Sequence, residues 1–213
     1  QWLVGHQHRI IKVASFGGTN VFLPQKGPPG RGKFCHECPD PIRTACPYRD
    51  QAGFVFPVTG KKPIHKTQQT NIYGGDLCVY SEDKDLVDNQ TLIFEWDHGV
   101  RGNFNLQLFQ RTGRREIKIW GEKGLLEADS SENIIRVIQS NSCEGLEQKV
   151  ENAPGGHDGS DQVMLKRFLD AIESREQPES GFIQGLAATL LAEKADESRL
   201  AGRVVTISPE EYL

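Results

Sequence analysis

The sequence predicts an α+β domain, a largely antiparallel open sheet with helices packed on one face. Three observations predict it. Between residues 89 and 139, short alternating apolar runs follow one another across turns, too close together for the long crossovers that parallel strands need. After residue 160 the apolar spacing lengthens from two to between three and four, the period of a helix with one buried stripe. Residues 17–75 keep neither period and read as a long, cysteine-containing loop excursion.

The elements follow in order. Gln1 to Gly5 (QWLVG) reads as the last turn of a helix closed by a glycine. No N-cap precedes it and the sole methionine is Met164, so the chain is expected to be a piece cut on its N-terminal side. Arg9 to Phe16 (RIIKVASF) reads as a strand. After the excursion, Thr91 to Trp96 is a strand. In Gly102 to Gln110, Phe104, Leu106 and Leu108 share a side and are expected to be buried, in the core or in a subunit contact. Arg115 to Trp120 is the next strand, Gly121 to Gly124 a turn, and Leu125 to Ala128 and Asn133 to Gln139 continue the series. Asp161 is the expected N-cap of a helix to about Ser174, with Val163, Leu165, Phe168, Leu169 and Ile172 inside. A second helix runs from about Phe182 to Leu200 and is closed by Gly202. Arg203 to Ile207 is a final strand. One face of such a sheet is covered; the other is solvated or pairs with another subunit.

Composition narrows the class. The 213 residues are 37% hydrophobic and 25% charged, enough for a real core. No apolar run reaches the ~20 residues of a membrane helix. The net charge of −4 and pI near 5.9 argue against a general nucleic-acid binder. No signal peptide is visible, and a cytoplasmic protein is expected. Charge is uneven: residues 1–75 hold ten Lys/Arg and three Asp/Glu, and the remainder fifteen and twenty-six. The basic part is either a site for an anionic substrate or a solvated loop beside an acidic scaffold.

Most motifs fail on their chemistry. Gly27 to Phe34 (GPPGRGKF) matches the spacing of a phosphate-binding loop. It lacks the Ser/Thr after Lys33 that would hold magnesium, and its prolines remove amide donors. No G-x-G-x-x-G is present, so the chain has no dinucleotide fingerprint. Asn89-Gln90-Thr91 is a glycosylation sequon of the kind that arises by chance. The cysteines carry more. Cys35 and Cys38 form C-x2-C, Cys46 follows, and Cys78 opens the regular sheet. Four thiolates on a structural zinc would anchor a core-poor loop, with His36 and His65 as substitute ligands. Inert, half-buried thiols are the other reading, and a disulfide needs an oxidising compartment. Cys143 stands apart. Gly155 to Asp161 (GGHDGSD) precedes the first long helix. His157 there either touches a substrate hydroxyl or sits in a plain turn.

Several stretches together resemble one family: Trp2-Leu3-Val4-Gly5, the Cys35 to Tyr48 run (CHECPDPIRTACPY), Cys78-Val79-Tyr80, Asp85 to Gln90 (DLVDNQ), Gly121 to Gly124, GGHDGSD, and Ala201 to Val205 (AGRVV). In this order they look like the C-terminal domain of the glucose–fructose oxidoreductase / inositol dehydrogenase / MocA (Gfo/Idh/MocA) family, over nearly the whole of residues 1–213. The resemblance implies an N-terminal Rossmann domain ahead of this one, with NAD or NADP bound there. It implies chemistry on a sugar, inositol or related polyol. The family's lysine lies in that first domain. Its histidine stands in an H-D-x-D-x-x-x-W context whose tryptophan matches Trp2, so no catalytic residue is carried onto this chain. The domain is then expected to supply part of a substrate pocket and an oligomer surface for a homodimer or homotetramer. Candidate pocket residues are His157, Tyr48 and Arg49, with Lys62 a distant fourth. The resemblance extends to Cys35, Cys38, Cys46 and Cys78, which supports a shared structural role, zinc included. The rival reading is a non-catalytic scaffold module that pairs subunits through its sheet face.

Overall fold

The computed structural model describes residues 3–5, 7–48, 77–81, 86–110, 113–142, 145–151, 156–178 and 181–212. In chain order the elements are β1 (Ile10–Gly18), α1 (Asp40–Ala45), β2 (Asn89–Trp96), β3 (Arg101–Gln107), β4 (Glu116–Gly121), β5 (Gly124–Asp129), β6 (Ile134–Gln139) and β7 (Gly145–Lys149). They continue with α2 (Ser160–Ser174), α3 (Phe182–Ala201) and β8 (Val205–Thr206). The class is α+β and the sheets are antiparallel, as expected. The strands do not form one meander, however. They divide into two four-stranded sheets in two compact units, Gln1–Arg111 with Ile183–Leu213, and Thr112–Phe182.

In the first unit the strand order is β3-β2-β1-β8. β1 pairs with β2 through a register shift between Ile10 and Lys12. An extra residue in one strand reverses the alternation beyond it. Ile10 and Val13, three apart, therefore both turn to the core. α3 lies on that face. Its Ala187 and Leu190 pack with Ile10, Trp96, Ile207 and Tyr212, and its Ala195 packs with Val13, Leu92 and Val205. The two alanines let the helix approach closely. Where the two-residue β8 ends, side chains take over the hydrogen bonding of β1. Buried Ser198 accepts the Ser15 amide at 3.0 Å and donates to the Arg203 carbonyl at 2.6 Å. The Tyr212 hydroxyl accepts the Ile10 amide at 3.1 Å and donates to the Ile10 carbonyl at 2.9 Å.

Of the two placements expected for Phe104 and Leu108, core or subunit contact, the first is corrected. Phe104 is 52% exposed and Leu108 46% exposed. Register explains this: Phe104 sits opposite core residue Leu92, on the correct face. β3 is an edge strand, though, and the buried side chains of α3 pack over β1, β2 and the other edge, β8. On the opposite face Phe16 and Ile93 are exposed.

The second unit holds the sheet β4-β5-β6-β7. One face carries charged cross-strand neighbours, with Lys118 to Glu127 at 2.8 Å and Arg136 to Glu147 at 2.7 Å. The alternate residues Ile119, Leu126, Val137 and Leu146 are cross-strand neighbours in register on the other face. α2 begins at Ser160, after Gly159 in the left-handed region at φ 84°, so Asp161 lies in the first turn and is not the N-cap. The helix stripe expected inside is also corrected. Val163, Leu165, Phe168, Leu169 and Ile172 are 47–59% exposed, and no α2 residue is buried.

Candidate functional site

The described part of the excursion is tied to the sheet by one carboxylate. Asp88, immediately before β2, is 1% exposed. Its Oδ2 accepts the amides of Val21 and Phe22 at 2.7 Å each, both oxygens face the Asn20 amide, and Oδ1 accepts the Asn89 side-chain amide at 2.8 Å. Burial alone would raise this carboxyl. The amides of Phe22 and Asn20, with Asn89 and Val21, outweigh burial and hold it below the ordinary carboxylate value. The chain leaving β1 is thereby turned so that Phe22 points into a small cluster with Cys78 and Tyr80.

Tyr48 joins that cluster. Its ring meets Phe22 edge-on at 5.0 Å between centroids and Tyr80 at 6.1 Å. Burial, then the neighbouring Tyr48, Cys46 and Cys78, raise the Tyr80 hydroxyl above its ordinary value against the opposing pull of Arg31.

All four expected cysteines reach one pocket. Cys35, Cys38, Cys46 and Cys78 line it together with Tyr48, Tyr80, Arg31 and Ile42. Local structure explains the convergence. The C-x2-C pair brackets a 3-10 turn, Cys35–Glu37, with the Cys38 amide on the Cys35 carbonyl at 3.3 Å. An isolated bridge joins Phe34 to Leu77, and the Cys78 amide donates to the Lys33 carbonyl at 2.9 Å. α1 then carries the chain to Cys46. The Gly32 amide donates to Cys38 Sγ at 3.3 Å. All four thiols are unbridged. No three of the sulfurs lie within 4.8 Å of one another, whereas a closed zinc tetrathiolate has sulfur–sulfur edges of about 3.8 Å. The pocket is thus a gathering of thiols more open than a metal-bound tetrahedron. His36 stacks on Phe34 at 5.6 Å and does not line the pocket.

Of the expected pocket residues, Tyr48 is brought to the cysteines. His157 belongs to the second unit, where it is exposed. Its Nδ1 pairs with the Asp161 carboxylate at 2.9 and 3.0 Å. Asp161 therefore engages this histidine instead of capping the helix. Arg49, Lys62, His65 and Cys143 lie outside the described residues. Sequence reasoning missed Asp88, Phe22 and Tyr80 as parts of the site. Their signal was present: an acid just before a strand, and an aromatic two residues after Cys78.

The first unit is thus an antiparallel sheet backed by α3, with a loop-built pocket beside it. The pattern described as "Oxidoreductase family, C-terminal alpha/beta domain" matches residues 44–207, and the chain belongs to this Gfo/Idh/MocA family. Solved structures share the fold. An oxidoreductase domain protein from Kribbella flavida is 16% identical, with a TM-score of 0.56 over 94% of this chain and 45% of its own. Aldose-aldose oxidoreductase from Caulobacter crescentus, complexed with glycerol, is 11% identical, with a TM-score of 0.52 over 94% and 42%. A levoglucosan dehydrogenase, in complex with NADH and levoglucosan, is 11% identical, with a TM-score of 0.56 over 93% and 45%. The chain thus spans less than half the length of each. No curated protein matches the sequence. Among the described residues no helix is long and apolar enough to cross a membrane.

Proposed function

We propose that this chain is the substrate-side and assembly domain of an NAD(P)-dependent oxidoreductase acting on a sugar, inositol or related polyol. The observation that carries the reading is the family match over residues 44–207. In this reading a Rossmann domain ahead of Gln1 binds NAD or NADP, whose nicotinamide supplies the hydride chemistry. The residues here shape the other wall of the site, orient the substrate and exclude water. Tyr48, Arg49 and His157 are the proposed substrate contacts. His157 brings an imidazole already paired with a carboxylate, a suitable partner for a sugar hydroxyl. The enzyme works in the cytoplasm as a homodimer or homotetramer.

Cys35, Cys38, Cys46 and Cys78 would hold one structural zinc, which would anchor the cysteine-rich segment to the chain ahead of β2. The C-x2-C turn, the amide aimed at Cys38 Sγ and the shared pocket support this.

The test is a substrate screen on the full-length protein, with NAD+ and NADP+ and a panel of aldoses, inositols and polyols. Saturable, cofactor-dependent oxidation of one of them is expected. Cofactor binding without turnover of any would favour a non-catalytic scaffold that pairs subunits.

A further inference from the structure

A second group of side chains of metal-ligating types lies away from the thiol pocket, where β1 begins and β2 turns into β3. His8 stands two residues before β1, and Asp97 and His98 follow Trp96 at the end of β2. We propose that His8, Asp97 and His98 form a binding site for a divalent transition-metal ion of the imidazole-preferring class, represented by Ni2+.

Geometry carries the proposal. His8 Nδ1 lies 2.9 Å from Asp97 Oδ1, and His98 Nδ1 lies 3.2 Å from the same oxygen. One donor atom from each residue lies within 4.8 Å of the others, and among the described residues this is the only such group. With metal–ligand bonds of about 2.1 Å, neighbouring donors stand about 3.0 Å apart in an octahedron and about 3.4 Å apart in a tetrahedron. The two observed separations fall on that scale. Both Nδ1 atoms face the one carboxylate oxygen. The rings are stacked, with centroids 3.5 Å apart and planes 19° apart, so on binding they swing out of the stack to aim their in-plane lone pairs at one ion.

The backbone holds the three in place. The Arg9 amide donates to Asp97 Oδ2 at 3.0 Å, which fixes the carboxylate and leaves Oδ1 toward the imidazoles. The Asp97 amide donates to the Arg9 carbonyl at 2.9 Å, joining the two chain segments, and the Gly99 amide closes the turn on the Trp96 carbonyl at 3.0 Å. The side chains are between 26% and 39% exposed, which gives an ion a path in and room for water on its remaining positions. On binding, each imidazole releases or relocates its Nδ1 proton and carries hydrogen on Nε2 instead. Two neutral imidazoles and one carboxylate leave the bound ion with a net charge of +1. Nothing in this site depends on the oxidoreductase reading.

The experiment is a Ni2+ titration of the protein by calorimetry, with histidine side-chain NMR in parallel. The expected result is one saturable equivalent, with paramagnetic broadening that reaches His8 and His98 before other histidines. His98→Ala, in the turn, should weaken that equivalent at least ~10-fold, and Asp97→Asn should do the same. Thermal unfolding without metal shows whether each variant keeps its fold. Loss of binding in either folded variant separates this site from the thiol pocket, which both leave untouched. Unchanged affinity in both variants, broadening centred on another histidine, or no saturation at millimolar Ni2+ would overturn the proposal.

Discussion

The carboxylate of Asp88 sits beneath the backbone of Phe22, with Oδ2 2.7 Å from the Phe22 amide. A single buried acid therefore sets where the chain goes on leaving β1, and so where the aromatic and thiol cluster forms. Asp88→Ala would leave three loop amides without their acceptor and should destabilise the first unit by about 3 kcal/mol. Chemical denaturation of the variant against the parent checks this.

Asp88 also has a pH signature. Its folded carboxyl is held below its unfolded value. Its contribution is therefore fully present above the unfolded value near 4 and is lost as pH falls through the depressed folded value. Hydrogen exchange at the Val21 and Phe22 amides should rise in that acid window. In Asp88→Asn the exchange at these amides should lose that dependence.

Tyr212 clasps the bulged start of β1 by donating to and accepting from Ile10. Tyr212→Phe keeps the ring and removes both bonds, stranding a buried amide. A loss of roughly 1–3 kcal/mol is expected, read as a lower Tm with little change in far-UV circular dichroism.

Gly124 tests the second sheet. A Cβ at this residue would clash with the Ile138 carbonyl oxygen of the neighbouring strand. Gly124→Ala should push β5 from β6 and cost ~2 kcal/mol or more. Amide protection in β5 and β6 should fall, while β1 and β2 keep theirs.

The thiol pocket makes a compositional prediction. Protein purified without added metal should carry close to one zinc per chain, and Cys78→Ser should lower that value. Below roughly 0.2 zinc per chain, with all thiols reduced, the clip works through packing alone.

Strand positions were legible wherever apolar residues alternate, as in Ile134 to Gln139, because a half-buried strand writes its two faces into the sequence. β7 was not legible. Its only large apolar residue, Leu146, is exposed, and register with β6 defines the strand. The same limit explains Phe104 and the α2 stripe: periodicity shows which face is apolar but not whether another element reaches it. The cysteine pocket was legible from spacing. Asp88 was not, because its role lies in bonds to residues 66 to 68 positions earlier. The His8, Asp97 and His98 group escaped for the same reason, since His8 and Asp97 stand 89 positions apart.

The bare stripe on α2 has a practical consequence at the bench. Five large greasy side chains on one cylinder invite self-sticking, and a sample of this polypeptide by itself should sediment faster as it is concentrated. Replacing Phe168 and Leu169 with hydrophilic residues would then improve handling with no penalty to the melting point of the first unit.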